Sequence, residues 1–188
     1  MANAHDVALF FIEIAQEQAK KNLGDPMTNL RLQKLLYFAQ GWHLSRYGHP
    51  LFEEELLKWP YGPVVKSVYQ MYNSNGNKSI STEESLNADA FTQAEYSLLL
   101  DVVREYDKFA TSRLVDMTHE RGTPWERANP QDVISKESIR DYFHAKRPLP
   151  AFANALKRIE VIKPHRDENG QAVISRDLAE GWDAWDAS

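Results

Sequence analysis

The sequence predicts a mainly α fold: a compact single-domain helical bundle of about seven helices, with room for a small β-hairpin. Three observations predict it. Apolar residues recur at helical spacing through most of the chain, side chains suited to capping precede several of these stretches, and a composition of 43% hydrophobic and 26% charged residues is enough to bury a core.

The first segment, about His5 to Lys21, places Val7, Phe10, Phe11 and Ile14 on one face, with Glu13, Glu17 and Lys20 mostly elsewhere, and reads as a surface helix packed along one stripe. Leu23, Gly24, Asp25 and Pro26 break it. Thr28 is placed to cap a second helix, and Met27 and Leu32 have the spacing of a hydrophobic staple. Leu32, Leu35, Leu36, Ala39, Trp42 and Leu44 give that helix a broad apolar surface, which Tyr37 and Phe38 extend almost all round, so it belongs at the centre of the core. Gly41 within it costs about 1 kcal/mol of helix propensity, which a close crossing by another helix explains. Tyr47, Gly48, His49 and Pro50 end the helix.

Residues 51–60 stay open between helix, turn and strand, because Glu53, Glu54 and Glu55 interrupt Leu51, Phe52, Leu56, Leu57 and Trp59. In Tyr61-Gly62-Pro63, the proline is expected to open a third helix, where its fixed φ and missing amide are harmless; Val64, Val65, Val68, Tyr69 and Tyr72 would pack it. Residues 79–91 look like an excursion anchored by Ile80 and Leu86, with a hairpin as one option. Thr92 and Glu95 form a capping-box signature before Leu98, Leu99, Val102, Val103 and Tyr106, and Leu114, Val115 and Thr118 fit the next helix. Thr123-Pro124-Trp125-Glu126 repeats the capping device, and Ser135 opens a helix carrying Ile139, Tyr142 and Phe143, with Ile134 stapled to Ile139. Residues 1–150 thus read as one helical domain. Residues 151–188 read as a C-terminal helix through Phe152, Leu156 and Ile159, followed by a partner-binding tail with Trp182 and Trp185 among acidic residues.

The formal net charge is −5, so wholesale attraction to phosphate backbones is not expected. Arg31, Lys34, Lys58 and Lys66 are the one candidate set for a nucleic-acid contact, on the less acidic N-terminal part. No apolar run approaches the roughly 20 residues of a membrane span, and the first twenty residues lack a signal-peptide pattern. With no cysteine, a cytoplasmic location is the simplest expectation.

Catalytic signatures are missing. None of the six histidines falls in a recognised metal spacing, no glycine-rich phosphate loop occurs, and no serine sits in a nucleophile elbow, so no metal, cofactor or enzymatic activity is expected. Asp116 and Glu120 beside His119 fit a solvated helix face better than a catalytic cluster. Trp59, Tyr61, Trp182 and Trp185 are the candidate partner-contact residues, since aromatic rings give large desolvated contact area with a polar handle.

The run Met27, Thr28, Asn29, Leu30, continuing through Leu32, Gln33, Lys34, Leu35, Leu36, Tyr37 and on to Gly41, Trp42 and His43, resembles the opening of the Panacea domain, the family of SocA-like antitoxins and phage-associated GepA-like proteins. So do Pro50, Leu51, Phe52 leading to Trp59, Tyr61, Gly62, Pro63, Val64 and Tyr69, and the later Leu114, His119, Pro124 and Trp125. The resemblance covers about residues 5–145. It implies a mostly helical domain that neutralises a cognate protein toxin by direct binding. It also brings an alternative, a proteolytic adaptor that delivers its partner to a ClpXP-type protease; a DNA-binding regulator is a further alternative, resting on the basic set above and not on the resemblance.

Overall fold

The computed structural model describes residues 2–146 and, beyond them, the backbone of residues 165–166 and 172–173. The chain divides into two units, Met1–Ala151 and Phe152–Ser188. In the second, β3 (His165–Arg166) pairs antiparallel with β4 (Ala172–Val173). The helix expected through Phe152, Leu156 and Ile159, and the tail tryptophans Trp182 and Trp185, lie outside the described residues. Seven helices and one hairpin make up the described part of the first unit.

Helix α1 (Ala4–Lys20) opens with a reciprocal cap. Asn3 accepts the Asp6 amide at 2.8 Å, and the Asp6 carboxylate accepts the Asn3 amide at 3.0 Å, so two otherwise unpaired donors are satisfied. The helix was expected to pack along one stripe, yet Leu9 and Ile12 are buried alongside Val7, Phe10 and Phe11. Its N-terminal half is enclosed on more than one side, with Phe10 edge-on to both Phe91 and Tyr96.

Helix α2 (Asn29–Tyr47) is the axis of the unit. Thr28 accepts the Arg31 amide at 3.2 Å, Gly48 ends the helix in the left-handed conformation, and both staple residues, Met27 and Leu32, are buried. Helices α1, α4 (Gln93–Tyr106), α5 (Thr111–His119) and α7 (Lys136–His144) all pack on it. Gly41 marks the crossing with α7, because a Cβ there would clash with the edge of the Phe143 ring. That ring also stands edge-on to Tyr37, Phe38 and Trp42. Phe38 stacks on Tyr106 at 4.0 Å, and Trp42 Nε1 donates to the Tyr106 hydroxyl at 2.9 Å, so the largest aromatic groups meet with their polar atoms paired.

The capping devices expected at Thr92 and Ser135 form as written. At α6 (Pro124–Arg127), Thr123 caps the Glu126 amide, but Glu126 reaches back to the Gly122 amide rather than to Thr123. The excursion contains no strand; Ile80 and Leu86 are buried anchors, and a short 3₁₀ turn spans Ala88–Ala90.

The expected start of the third helix needs correction. Gly62–Val65 is a strand, β2, paired antiparallel with β1 (Leu56–Trp59), and α3 begins three residues past Pro63, at Lys66 (Lys66–Tyr72). Pro63 lies opposite Lys58, whose amide donates to Asp132 O and whose carbonyl accepts from Gln131, both on the far side of β1. The Lys58–Pro63 pair therefore needs no donor from Pro63, and proline is tolerated in the strand for the same reason it would suit a helix start. The segment through Val133 bridges the far edge of β1 opposite Leu57, making a small three-stranded arrangement.

Candidate functional site

Hairpin β1–β2 turns through Pro60 and Tyr61, and Tyr61 at its tip is 71% exposed, more than any other large hydrophobic side chain among the described residues. What lies beneath that ring is a set of polar clamps. Helix α2 lies along the outer edge of β2, where Gln33 Oε1 accepts the Val65 amide at 2.9 Å and Lys34 Nζ donates to the Pro63 carbonyl at 2.9 Å. Gln33 in turn donates to Asn29 at 3.1 Å, and Asn29 to the Tyr69 carbonyl at 2.9 Å, so one relay ties β2 to α3.

Lys34 is fully buried and has no carboxylate partner among the described residues, so desolvation lowers its pKa to about 7. Its Nζ and the Thr118 hydroxyl occupy the space a side chain at position 62 would need, and Gly62 has φ of +103°; both facts demand glycine there. His119, one residue further along α5, lies against Trp125 with ring centroids 3.8 Å apart. Burial lowers its pKa, the Lys34 charge adds to that, and its Nε2 makes no hydrogen bond. Trp125 Nε1 donates to the Trp59 carbonyl at 2.9 Å, while Lys58 Nζ sits 4.7 Å over the Trp125 ring and donates to the carbonyls of Glu126 and Ala128. The hairpin is thus fixed from α2 on one edge and from α5–α6 beneath. What this arrangement can do is present a rigid aromatic tip.

A family model described as antitoxin SocA-like, Panacea domain, matches residues 32–126, a stretch that begins in α2, takes in the whole hairpin and ends in α6. The chain belongs to the SocA-like Panacea family. Antitoxin SocA of Caulobacter vibrioides (strain NA1000 / CB15N) is 32% identical over 114 residues, covering 54% of this chain. The match spans 59% of that protein's own length. No solved structure matches the chain significantly.

Within the Panacea region, the candidate residues are placed unequally. Trp59 is half-buried, edge-on to Tyr69 at 4.9 Å, and supports the tip rather than forming it; Tyr61 is the tip itself. Trp182 and Trp185 lie outside the described residues. The basic set does not gather into a surface patch. Arg31 is fully buried, donating to the Phe109 carbonyl at 2.8 Å and pairing with Asp107 at 3.1 Å; Lys34 is buried under the hairpin, and Lys58 is half-buried on carbonyls, which leaves Lys66 exposed. Asp116 and Glu120 build no metal cluster with their neighbours among the described residues, and Glu120 pairs with Arg113. Sequence reasoning missed the supporting roles of Gln33, Thr118, His119 and Trp125. The available signal was the row of polar residues, Asn29, Gln33 and Gln40, on a helix apolar almost all round: a buried polar side chain there must find a backbone partner.

Proposed function

We propose that this Panacea-family chain is an antitoxin that neutralises a cognate protein toxin by direct binding in the cytoplasm, with the hairpin tip as part of its contact surface. The observation that carries the reading is the exposed Tyr61 on a base clamped from two sides, within a region related to a protein named an antitoxin. A preorganised aromatic anchor loses little conformational freedom on docking, which leaves more of its burial as affinity. Nanomolar affinity corresponds to about −12 kcal/mol, enough to hold a toxin inactive at cellular concentrations. Trp59 supports this contact from below, and Trp182 and Trp185 complete the proposed contact set.

Coexpression with the product of the adjacent gene tests the reading. The expected result is a stable complex and restored growth, both weakened by Tyr61→Ala; a neighbour that is harmless and does not bind removes the proposal. A partner half-life that shortens only when this chain and a ClpXP-type protease are both present assigns delivery for degradation instead of simple masking.

A further inference from the structure

The small sheet around β1 has two sides, and only one is closed. On the β2 side, Gln33 and Lys34 of α2 take up the outward amide of Val65 and the carbonyl of Pro63. On the other side, the hydrogen bonds from Lys58 N to Asp132 O and from Ile134 N to Leu56 O make Leu57 and Val133 a non-hydrogen-bonded pair. By the alternation of an antiparallel ladder, the amide and carbonyl of Val133 therefore point outward, and no described group bonds to them. The Val133 side chain is 46% exposed.

Beside this edge is a cavity of about 210 Å³. Leu56, Ile134 and Ile139, all buried, give it an apolar floor. Its walls carry Glu53, Glu54, Glu55 and Glu137 against a single cation, Lys136. Lys136 is already paired with Glu53, and Glu54 accepts the Ala4 amide at 3.0 Å. Glu55 and Glu137 are exposed and have no ion pair among the described residues. An open strand edge recruits an extended peptide through main-chain hydrogen bonds, with alternate side chains choosing the sequence. Here the side chains turned toward the cavity meet carboxylate walls over an apolar floor, which suits long basic side chains with apolar stems.

We propose that the Val133 edge and its acidic cavity dock an extended, lysine- or arginine-rich segment of a partner protein as an added strand. The carboxylates exclude acidic strands by the same charge that attracts basic ones. This surface is distinct from the Tyr61 tip, and its test needs no toxin, so the two proposals stand or fall separately.

The probe is a fluorescein-labelled seven-residue peptide alternating lysine and valine, titrated with the full chain and followed by anisotropy. Two controls accompany it: the same peptide with glutamate for lysine, and one N-methylated at alternate amides along one edge. The basic peptide is expected to bind with an affinity that falls as salt rises, and the glutamate and N-methyl peptides are each expected to bind about tenfold or more weakly. The double variant Glu55→Gln/Glu137→Gln, at two exposed positions, should weaken the basic peptide by about tenfold while the variant still melts in one cooperative transition. Failure of the basic peptide to bind, equal binding of any control, or unchanged binding by the folded double variant overturns the proposal.

Discussion

Helix α7 and the β1–β2 hairpin both pack on α2, and they are held there by opposite means. Phe143 of α7 fills the notch at Gly41 and meets Tyr37, Phe38 and Trp42, contacts made almost wholly of carbon. The hairpin is held by hydrogen bonds to Gln33, Lys34 and Trp125, which bond to its backbone. Apolar contact is non-directional and indifferent to pH, and the surface it removes from water supplies most of the driving force. A buried hydrogen bond contributes little net stability but is satisfied in one arrangement only, so the polar clamps fix where the tip points. The family match, residues 32–126, includes the clamped region and ends before α7.

The strongest way to break that contrast is to disturb the apolar crossing. Gly41→Ala should lower the unfolding free energy by about 3 kcal/mol, because the added carbon overlaps the Phe143 ring in a packed core; the helix-propensity gain of about 1 kcal/mol is already counted. Urea denaturation measures it. A loss below about 0.5 kcal/mol would mean that α7 shifts freely and that Gly41 does not define the crossing.

Removing a clamp should cost less and act differently. Gln33→Leu keeps the volume but leaves the Val65 amide and Asn29 without their partner, for an expected loss of about 2 kcal/mol. Amide exchange should quicken in β2 and α3 before it does in α7. Uniform quickening would show that the two regions are not held separately.

Lys34 sharpens the comparison through pH. In the unfolded chain its pKa is near 10.4 and in the folded chain about 7. Between these values the unfolded state binds more protons, so stability rises with pH from 7 upward, by at most about 1.4 kcal/mol per unit. Above about pH 10 the buried Tyr37 and Tyr106, whose pKa values burial raises, act in the opposite direction, so the clean window is roughly 7 to 9. Lys34→Met should change stability at pH 7 by no more than about 1 kcal/mol, since losing the bond to Pro63 O and losing the desolvated amine oppose each other. Its decisive signature is a flattened profile between pH 7 and 9. A variant that keeps the parental slope assigns the titration elsewhere.

The contrast also explains what could be read from the sequence. The Thr28 cap, the Met27–Leu32 staple, the Thr92–Glu95 box and the close approach at Gly41 were legible because each depends on residues a few positions apart or on one side chain's size. The start of α3 was not. Pro63 suits a helix's first turn and the outward side of a hairpin equally, and the choice is made by Asp132 and Gln131, some seventy residues away. The burial of Arg31 and Lys34 was equally hidden, because a cation reads as surface until the carbonyls of Phe109 and Pro63 are known to face it. Tyr61 could be named as a candidate contact residue, but the sequence could not say that it, and not Trp59, would be the exposed one.

The smallest expected change in stability is at the tip itself. Tyr61→Ala removes a largely exposed ring with no hydrogen bond or ring contact among the described residues, so its unfolding free energy should stay within about 0.5 kcal/mol of the parent. If the ring is an interface anchor, the same substitution should cost about 2 kcal/mol of partner binding, roughly thirtyfold in Kd. Calorimetric melting and titration against the coexpressed partner read the two quantities independently. A melt that shifts with Tyr61→Ala makes the tip part of the scaffold and erases the division between a region that stabilises and a region that presents. A melt and an affinity that both stay fixed keep the division but move the contact away from Tyr61, and the clamps then position something other than this ring.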